Sequence, residues 1–182
     1  MSRATSPSAS LSPGSAAAAP RTLRCATVGV GRMGRHHARV YTKIPGAKLV
    51  GVVDQSRERA EAIAEEYGGQ AFATEQDLID AGVDAVTIAV PTTAHLRAAR
   101  PFLEAGIACL IEKPLAPTAD EAEQIRELAE RHNAVLMVGH IERFNPAIRA
   151  MQAATAKGDP IVPRFIEVHR VSPMTFRSVD VG

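Results

Sequence analysis

The chain has no tryptophan, two cysteines and 4% aromatic residues, and its charges nearly cancel, 21 basic against 20 acidic over 182 residues for a formal +1. Each shortage excludes something. So balanced a chain has no electrostatic footprint for nucleic acid or an anionic membrane surface, and a partner has to be sought in a local site. Cys25 and Cys109 stand far apart in apolar stretches without metal-ligand spacing, which speaks against zinc and a disulfide framework and for buried thiols in a reducing compartment. No apolar run approaches the ~20 residues of a membrane span. The alanines at 16–19 are too few and too weakly apolar for the core of a secretory signal, so the default expectation is a cytoplasmic protein. Large apolar side chains are almost missing from residues 1–20, where Ser, Ala and Pro dominate, and a disordered tail is expected there.

What is present begins at Arg24. Apolar residues make up 46% of the chain, enough for a core. Short β-branched runs alternate with helical segments, the signature of βαβ units and a parallel sheet. The pattern predicts strands over 25–30, 48–53, 70–72, 85–90, 107–111 and 134–138. Helices are predicted over 35–41, 57–67, 75–81, 94–105 and from Thr118 to about residue 132, with Glu121 completing a capping box on Thr118. The expected fold class is α/β, a Rossmann doubly wound parallel sheet spanning 21–145. After Gly139 the texture changes. A helix from Asn145-Pro146 to about residue 157 and an alternating, antiparallel-type strand over 164–171 predict the start of an incomplete α+β substrate domain at 146–182.

The chemistry gathers at predicted strand ends. The turn Gly29-Val30-Gly31-Arg32-Met33-Gly34 follows a strand and opens a helix, and Asp54 ends the next strand twenty residues after Gly34. In that context a GxGxxG pattern cradles a dinucleotide pyrophosphate: the first glycine permits the tight turn, the second lets the backbone approach the phosphates, and the third lets helix and strand pack closely. Asp54 would accept the ribose hydroxyls and repel a 2′-phosphate, which favours NAD. Arg57, three residues on, keeps NADP as the less favoured alternative. Asp54 can also be read as a strand-end acid capping the amides of Ser56 or Arg57.

Pro91-Thr92-Thr93-Ala94-His95 follows the central strand, where open α/β sheets bind ligands, so Pro91, Thr92 and His95 are candidate cofactor contacts; Thr93 as an N-cap and His95 as an ordinary first-turn residue is the alternative. Glu112-Lys113-Pro114 ends the fifth strand at the same edge. There Lys113 could bind a substrate hydroxyl or polarise a carbonyl, against the alternative of a solvated surface lysine. His36 and His37 are adjacent and face different directions on a helix, poor geometry for one metal; they are read as helix packing and phosphate-side contacts, and no metal site is expected. His140, Glu142 and Arg143 are read either as cleft lining or as a charged hinge.

GVGRMGRHHAR at 29–39, Asp54, IEKPLA at 111–116 and GHIERFNPA at 139–147, in this order and spacing, resemble the Gfo/Idh/MocA family of oxidoreductases. The resemblance implies that Glu112 and Lys113 sit beside the nicotinamide, that Lys113 is catalytic and also contacts substrate, and that the Lys113-Pro114 bond is often cis. Within the family, GHIERFNPA and the closing RSVDVG are most similar to the UDP-N-acetylglucosamine 3-dehydrogenase group. That likeness implies oxidation of a sugar C3 hydroxyl by NAD, with Arg143, Phe144 and Asn145 toward the sugar or sugar-nucleotide substrate. Such enzymes run to about twice this length. Their C-terminal domain supplies an Asp, a general-base His and the sheet through which they form homo-oligomers. The chain is therefore expected to be a fragment or a truncation, with an NAD-binding module that does not turn over as the alternative.

Overall fold

The computed structural model describes residues 21–156 and, beyond them, Arg164, Phe165, Glu167 and His169. Six strands, β1 (Leu23–Val28), β2 (Ala47–Val53), β3 (Gln70–Phe72), β4 (Ala85–Ile88), β5 (Ala108–Ile111) and β6 (Leu136–Val138), form one parallel sheet in the order β3-β2-β1-β4-β5-β6. The helices are α1 (Gly34–Tyr41), α2 (Arg57–Tyr67), α3 (Glu75–Asp80), α4 (His95–Glu104), α5 (Ala119–Arg131) and α6 (Pro146–Ala156), with 3₁₀ turns at Thr92–Ala94 and Ile141–Phe144. This is the doubly wound Rossmann order, in which the winding reverses between β1 and β4 and a crevice opens beyond their carboxyl ends.

Both faces of the sheet are covered, which is why its strands read as continuous apolar runs instead of alternating ones. On one face Phe102 and Leu103 of α4 and Ile125 and Leu128 of α5 pack on Val28, Val86, Ile88 and Ile111. On the other, Ala38 of α1 and Ala60, Ile63 and Ala64 of α2 cover Leu49 and Val52. The alanines let α1 and α2 lie close to the sheet, and that closeness sets the depth of the crevice above them.

All six expected strands form, in the expected order along the chain. Two of them end early: β1 stops at Val28 and β4 at Ile88, although the apolar runs continue to residue 30 and residue 90. Gly29 turns the chain at φ 81°, and beyond the Ala89 N–H bond to the Val28 carbonyl (2.8 Å) the two strands part at the reversal point. Helix α2 stops at Gly68, left-handed at φ 76°. The Thr118 hydroxyl accepts the Glu121 amide as expected; the capping box with both halves formed belongs to Thr74 and Asp77. Helix α6 matches its expected span. Of the strand expected over 164–171, Arg164, Phe165, Glu167 and His169 are described and none is in a strand; the rest of that segment, the tail at 1–20 and the closing RSVDVG lie outside the described residues. Among the described residues no helix is long and apolar enough to cross a membrane.

The two cysteines are free and buried. Cys25 pairs in register with Ala85, and Cys109 with Val86, so a whole strand separates them. Two strand spacings come to ~10 Å, beyond the ~7 Å that a disulfide can bridge. Burial raises the Cys25 thiol and pushes Cys109 up to about 12, so both stay protonated and unreactive at pH 8. Neither should react with Ellman's reagent in the native protein, and both should react in denaturant; a fast native equivalent would contradict this burial.

Candidate functional site

The glycine turn is shaped by collisions that side chains would make. A Cβ on Gly34 would sit 1.7 Å from the Gly29 carbonyl oxygen, and one on Gly29 would lie 2.8 Å from Val90. Gly34 therefore allows α1 to seat on β1, and Gly29 allows the turn to pass under the end of β4. Nothing of the protein lies within 4 Å of a Cβ on Gly31, so a side chain there would project into open space above the turn. Two of the three glycines thus answer to contacts within the protein, and Gly31 to none.

That cleft, about 930 Å³, runs along the carboxyl ends of β2, β1, β4 and β5. Gly29, Gly31, Arg32, Met33, Asp54, Ser56, Pro91, Thr92, His95 and Lys113 line it, joined by Gln55, Arg59, Glu75 and Arg97, which the sequence pattern did not single out. Val30 is buried, 2% exposed, and its side chain lines a second groove between α1 and α2. Asp54 is held from both sides. Its Oδ2 accepts the Val30 amide (2.8 Å) and its Oδ1 accepts the Ser56 amide (2.9 Å), so it ties β2 to the glycine turn. The capping reading of Asp54 is thus realised at the Ser56 amide, and the second acceptor positions of both oxygens face the Arg59 guanidinium at 3.3 and 3.5 Å.

Arg59, not Arg57, is the guanidinium beside Asp54, with Nη1 3.3 Å from Oδ1. Arg57 turns outward to Glu61 at 2.6 Å. The reason is helical: Ser56 is the N-cap of α2, and a side chain in the first turn leans back toward the N-terminus, so the third helical residue covers the cap and the first does not.

His95 is 1% exposed and both ring nitrogens are engaged, Nδ1 with the Leu115 carbonyl (3.1 Å) and Nε2 with the Val90 carbonyl (3.0 Å). It touches the cleft but spends its polar atoms on tying the loop after β4 to the loop after β5. Glu112 is not a cleft residue. Its carboxylate faces away to His37 Nε2 at 2.8 Å, and its Oε2 accepts the Lys113 amide at 3.2 Å. Successive residues at a strand end point to opposite sides, so Lys113 faces the cleft where Glu112 does not. The Lys113-Pro114 bond is cis, as the family resemblance implied, and the Lys113 ammonium pairs with none of the described residues.

Arg143, Phe144 and Asn145 are not brought to the cleft. They are exposed at the 3₁₀ turn before α6, where Phe144 lies under the Arg149 guanidinium (5.3 Å to the ring centroid) and Asn145 bonds Glu142 and the Ala147 amide. A histidine pair was read as helix packing, yet His37 reaches across to β5; nothing in helical periodicity carries a contact 75 residues away.

A parallel sheet that reverses beside a glycine turn, with an acid on the neighbouring strand, defines a dinucleotide-binding domain. Residues 23–140 match the Gfo/Idh/MocA oxidoreductase family with its NAD-binding Rossmann fold, and the chain belongs to that family. It is 38% identical over 159 residues to UDP-N-acetylglucosamine 3-dehydrogenase of Acidithiobacillus ferrooxidans, covering 87% of this chain and 49% of that one. It is also 38% identical over 128 residues to scyllo-inositol 2-dehydrogenase (NAD(+)) of Bacillus subtilis, covering 69% and 37%. Among solved structures it is similar to GenD2 from gentamicin A biosynthesis in complex with NAD, with TM-score 0.71, 30% identity and coverage of 81% of this chain and 42% of that one. The chain thus spans about half, or less, of the length of these relatives.

The three glycines predict a contrast. Gly34→Ala drives a Cβ into backbone and should cost ~3 kcal/mol or more of stability, whereas Gly31→Ala should leave the thermal midpoint within about 3 °C of the parent, under ~1 kcal/mol. Thermal unfolding of both variants checks this, and an equal loss at Gly31 would contradict the open space above it.

Proposed function

We propose that this chain forms the cofactor-binding half of a dehydrogenase that oxidises a sugar or sugar-nucleotide hydroxyl to a ketone, the hydride of the carbinol carbon passing to NAD and the hydroxyl proton to a base of the other half, with C3 of UDP-N-acetylglucosamine as the specific candidate. The observation that carries the reading is a single cleft in which the glycine turn, Asp54 and Lys113 all meet. The space above Gly31 fits a pyrophosphate, and α1 starts there, so its N-terminal amides and partial positive charge favour an anion. Residues 29–34 hold the phosphates, Gly31 by its open space and Arg32 and Met33 from the wall, while Val30, its amide given to Asp54, fixes the turn. Asp54 takes the ribose hydroxyls in place of its contact with the partly exposed Arg59 guanidinium, and its charge disfavours the 2′-phosphate of NADP. When bound, NAD supplies the hydride acceptor.

Pro91 and Thr92 shape the wall of the nicotinamide half of the cleft, with His95 holding the loop beneath. Lys113 stands at that end with an uncommitted ammonium. It can donate a hydrogen bond to the reacting hydroxyl oxygen and fix the alcohol so that its C–H faces the acceptor. The similarity to both a sugar-nucleotide and an inositol dehydrogenase supports a cyclic polyol carbinol as the reacting group. The sugar-nucleotide choice rests on the 87% of this chain matched by the first of these. A homo-oligomeric whole enzyme belongs to the same reading.

Calorimetry and thermal shift test it. NAD at about 100 times its Kd should raise stability by ~2.7 kcal/mol. In the whole enzyme that carries this half, Lys113→Met should lower NADH formation from UDP-N-acetylglucosamine at least about a hundredfold while weakening NAD binding far less, so that the loss falls on turnover. No heat and no shift with NAD would overturn the reading; binding with turnover of inositol and none of the sugar nucleotide would overturn the substrate choice.

A further inference from the structure

The buried pair His37–Glu112 has no part in the proposed cofactor contacts, yet it bridges the two segments that matter most. His37 lies on α1 one turn after Gly34, and Glu112 precedes Lys113. Their side chains are 18% and 10% exposed and meet at 2.8 Å. The other surroundings of the Glu112 carboxylate are the Lys113 amide, which it accepts at 3.2 Å, and Gly139 at the end of β6, where even a Cβ would come within 3.2 Å of the carboxyl group. The pocket is built around this carboxylate: a helix supplies a donor, its own strand a second, and a glycine the room.

From this geometry we propose that His37 is a positioning residue for Lys113, acting through Glu112. Glu112 is the acid next to Lys113 in the chain, and a free carboxylate there would swing round and pair with the lysine ammonium. His37 holds it on the far side of the strand end. The Lys113 ammonium is thereby left uncommitted in the cleft, while the accepted Lys113 amide fixes the backbone from which it projects. Because His37 sits on the helix that opens at the glycine turn, the same pair sets the distance between the phosphate-binding turn and Lys113. The inference rests on the role of Lys113 proposed above, and it concerns the state of that side chain before any ligand arrives.

The test reads Lys113 directly. The 182-residue protein is treated with a trace of acetic anhydride, and acylation of Lys113 relative to Lys43 and Lys48 is followed by peptide mass spectrometry. In His37→Ala the released carboxylate pairs with Lys113, and its relative rate should fall about fivefold, the scale of a partly exposed ion pair. His37→Gln, whose amide can still donate to Glu112, should restore most of the rate. In His37→Ala/Glu112→Gln the fall should disappear, since an amide cannot pair with the ammonium in the same way. Glu112→Gln alone should change the rate less than threefold, because the native carboxylate is already held away, and this variant decides the matter if His37→Ala does not fold. An unchanged Lys113 rate in a folded His37→Ala, or a large increase in Glu112→Gln, would overturn the proposal. NAD titration of the same samples separates the two readings: loss of NAD binding in the parent protein sinks the functional proposal, and the acylation pattern sinks or sustains this one.

Discussion

The approach of α1 to β1 at Gly34 is the contact on which the cleft depends. With the Gly29 carbonyl within bonding range of where a Cβ would be, the helix can seat there only because no side chain exists. That seat directs the N-terminus of α1 over the end of β1, opens the space above Gly31, and brings His37 to Glu112 one turn further on. It also explains the small residues beneath, since Ala38 continues the same close approach against Val52. The open glycine turn and the placement of the Lys113 segment are two results of one helix-to-strand distance.

Around that seat the cleft is assembled by struts of alternating type. Asp54 binds β2 to the glycine turn through two backbone amides, and His95 binds the loop after β4 to the loop after β5 through two backbone carbonyls. Glu112 and His37 bind β5 to α1. In every strut a buried polar group is matched to backbone or to an opposite partner, as the low dielectric of the site requires. The loops that carry Pro91 and Lys113 are therefore tied to each other through one buried side chain.

Much of this was readable in order along the chain. Glycine spacing after a β-branched run marked the turn, Asp54 marked the second strand end, and the cis Lys113-Pro114 bond followed from the family resemblance carried by IEKPLA. Those features are local, and local chemistry fixes them. Arg59 was passed over for Arg57 because proximity in sequence was used where the lean of first-turn side chains decides. Arg143, Phe144 and Asn145 were placed toward substrate; they stand at an exposed turn away from the cleft, Asn145 bonded to Glu142 and the Ala147 amide and Phe144 under Arg149. Glu112 was grouped with Lys113 because the two are adjacent, whereas alternation at a strand end sends them to opposite sides.

The sequence by itself determined the class of fold, the six strands, the glycine turn and the acid at the end of β2. Each of these depends on residues within a few positions of one another, through periodicity, turn conformation and capping. Tertiary structure decided which cations and histidines meet which acids: Arg59 over Asp54, His95 between two loops, His37 against Glu112. These pairings join residues up to 75 positions apart, and only the winding of the sheet, which reverses between β1 and β4 and gathers the carboxyl ends of the strands at one edge, brings them within hydrogen-bond reach.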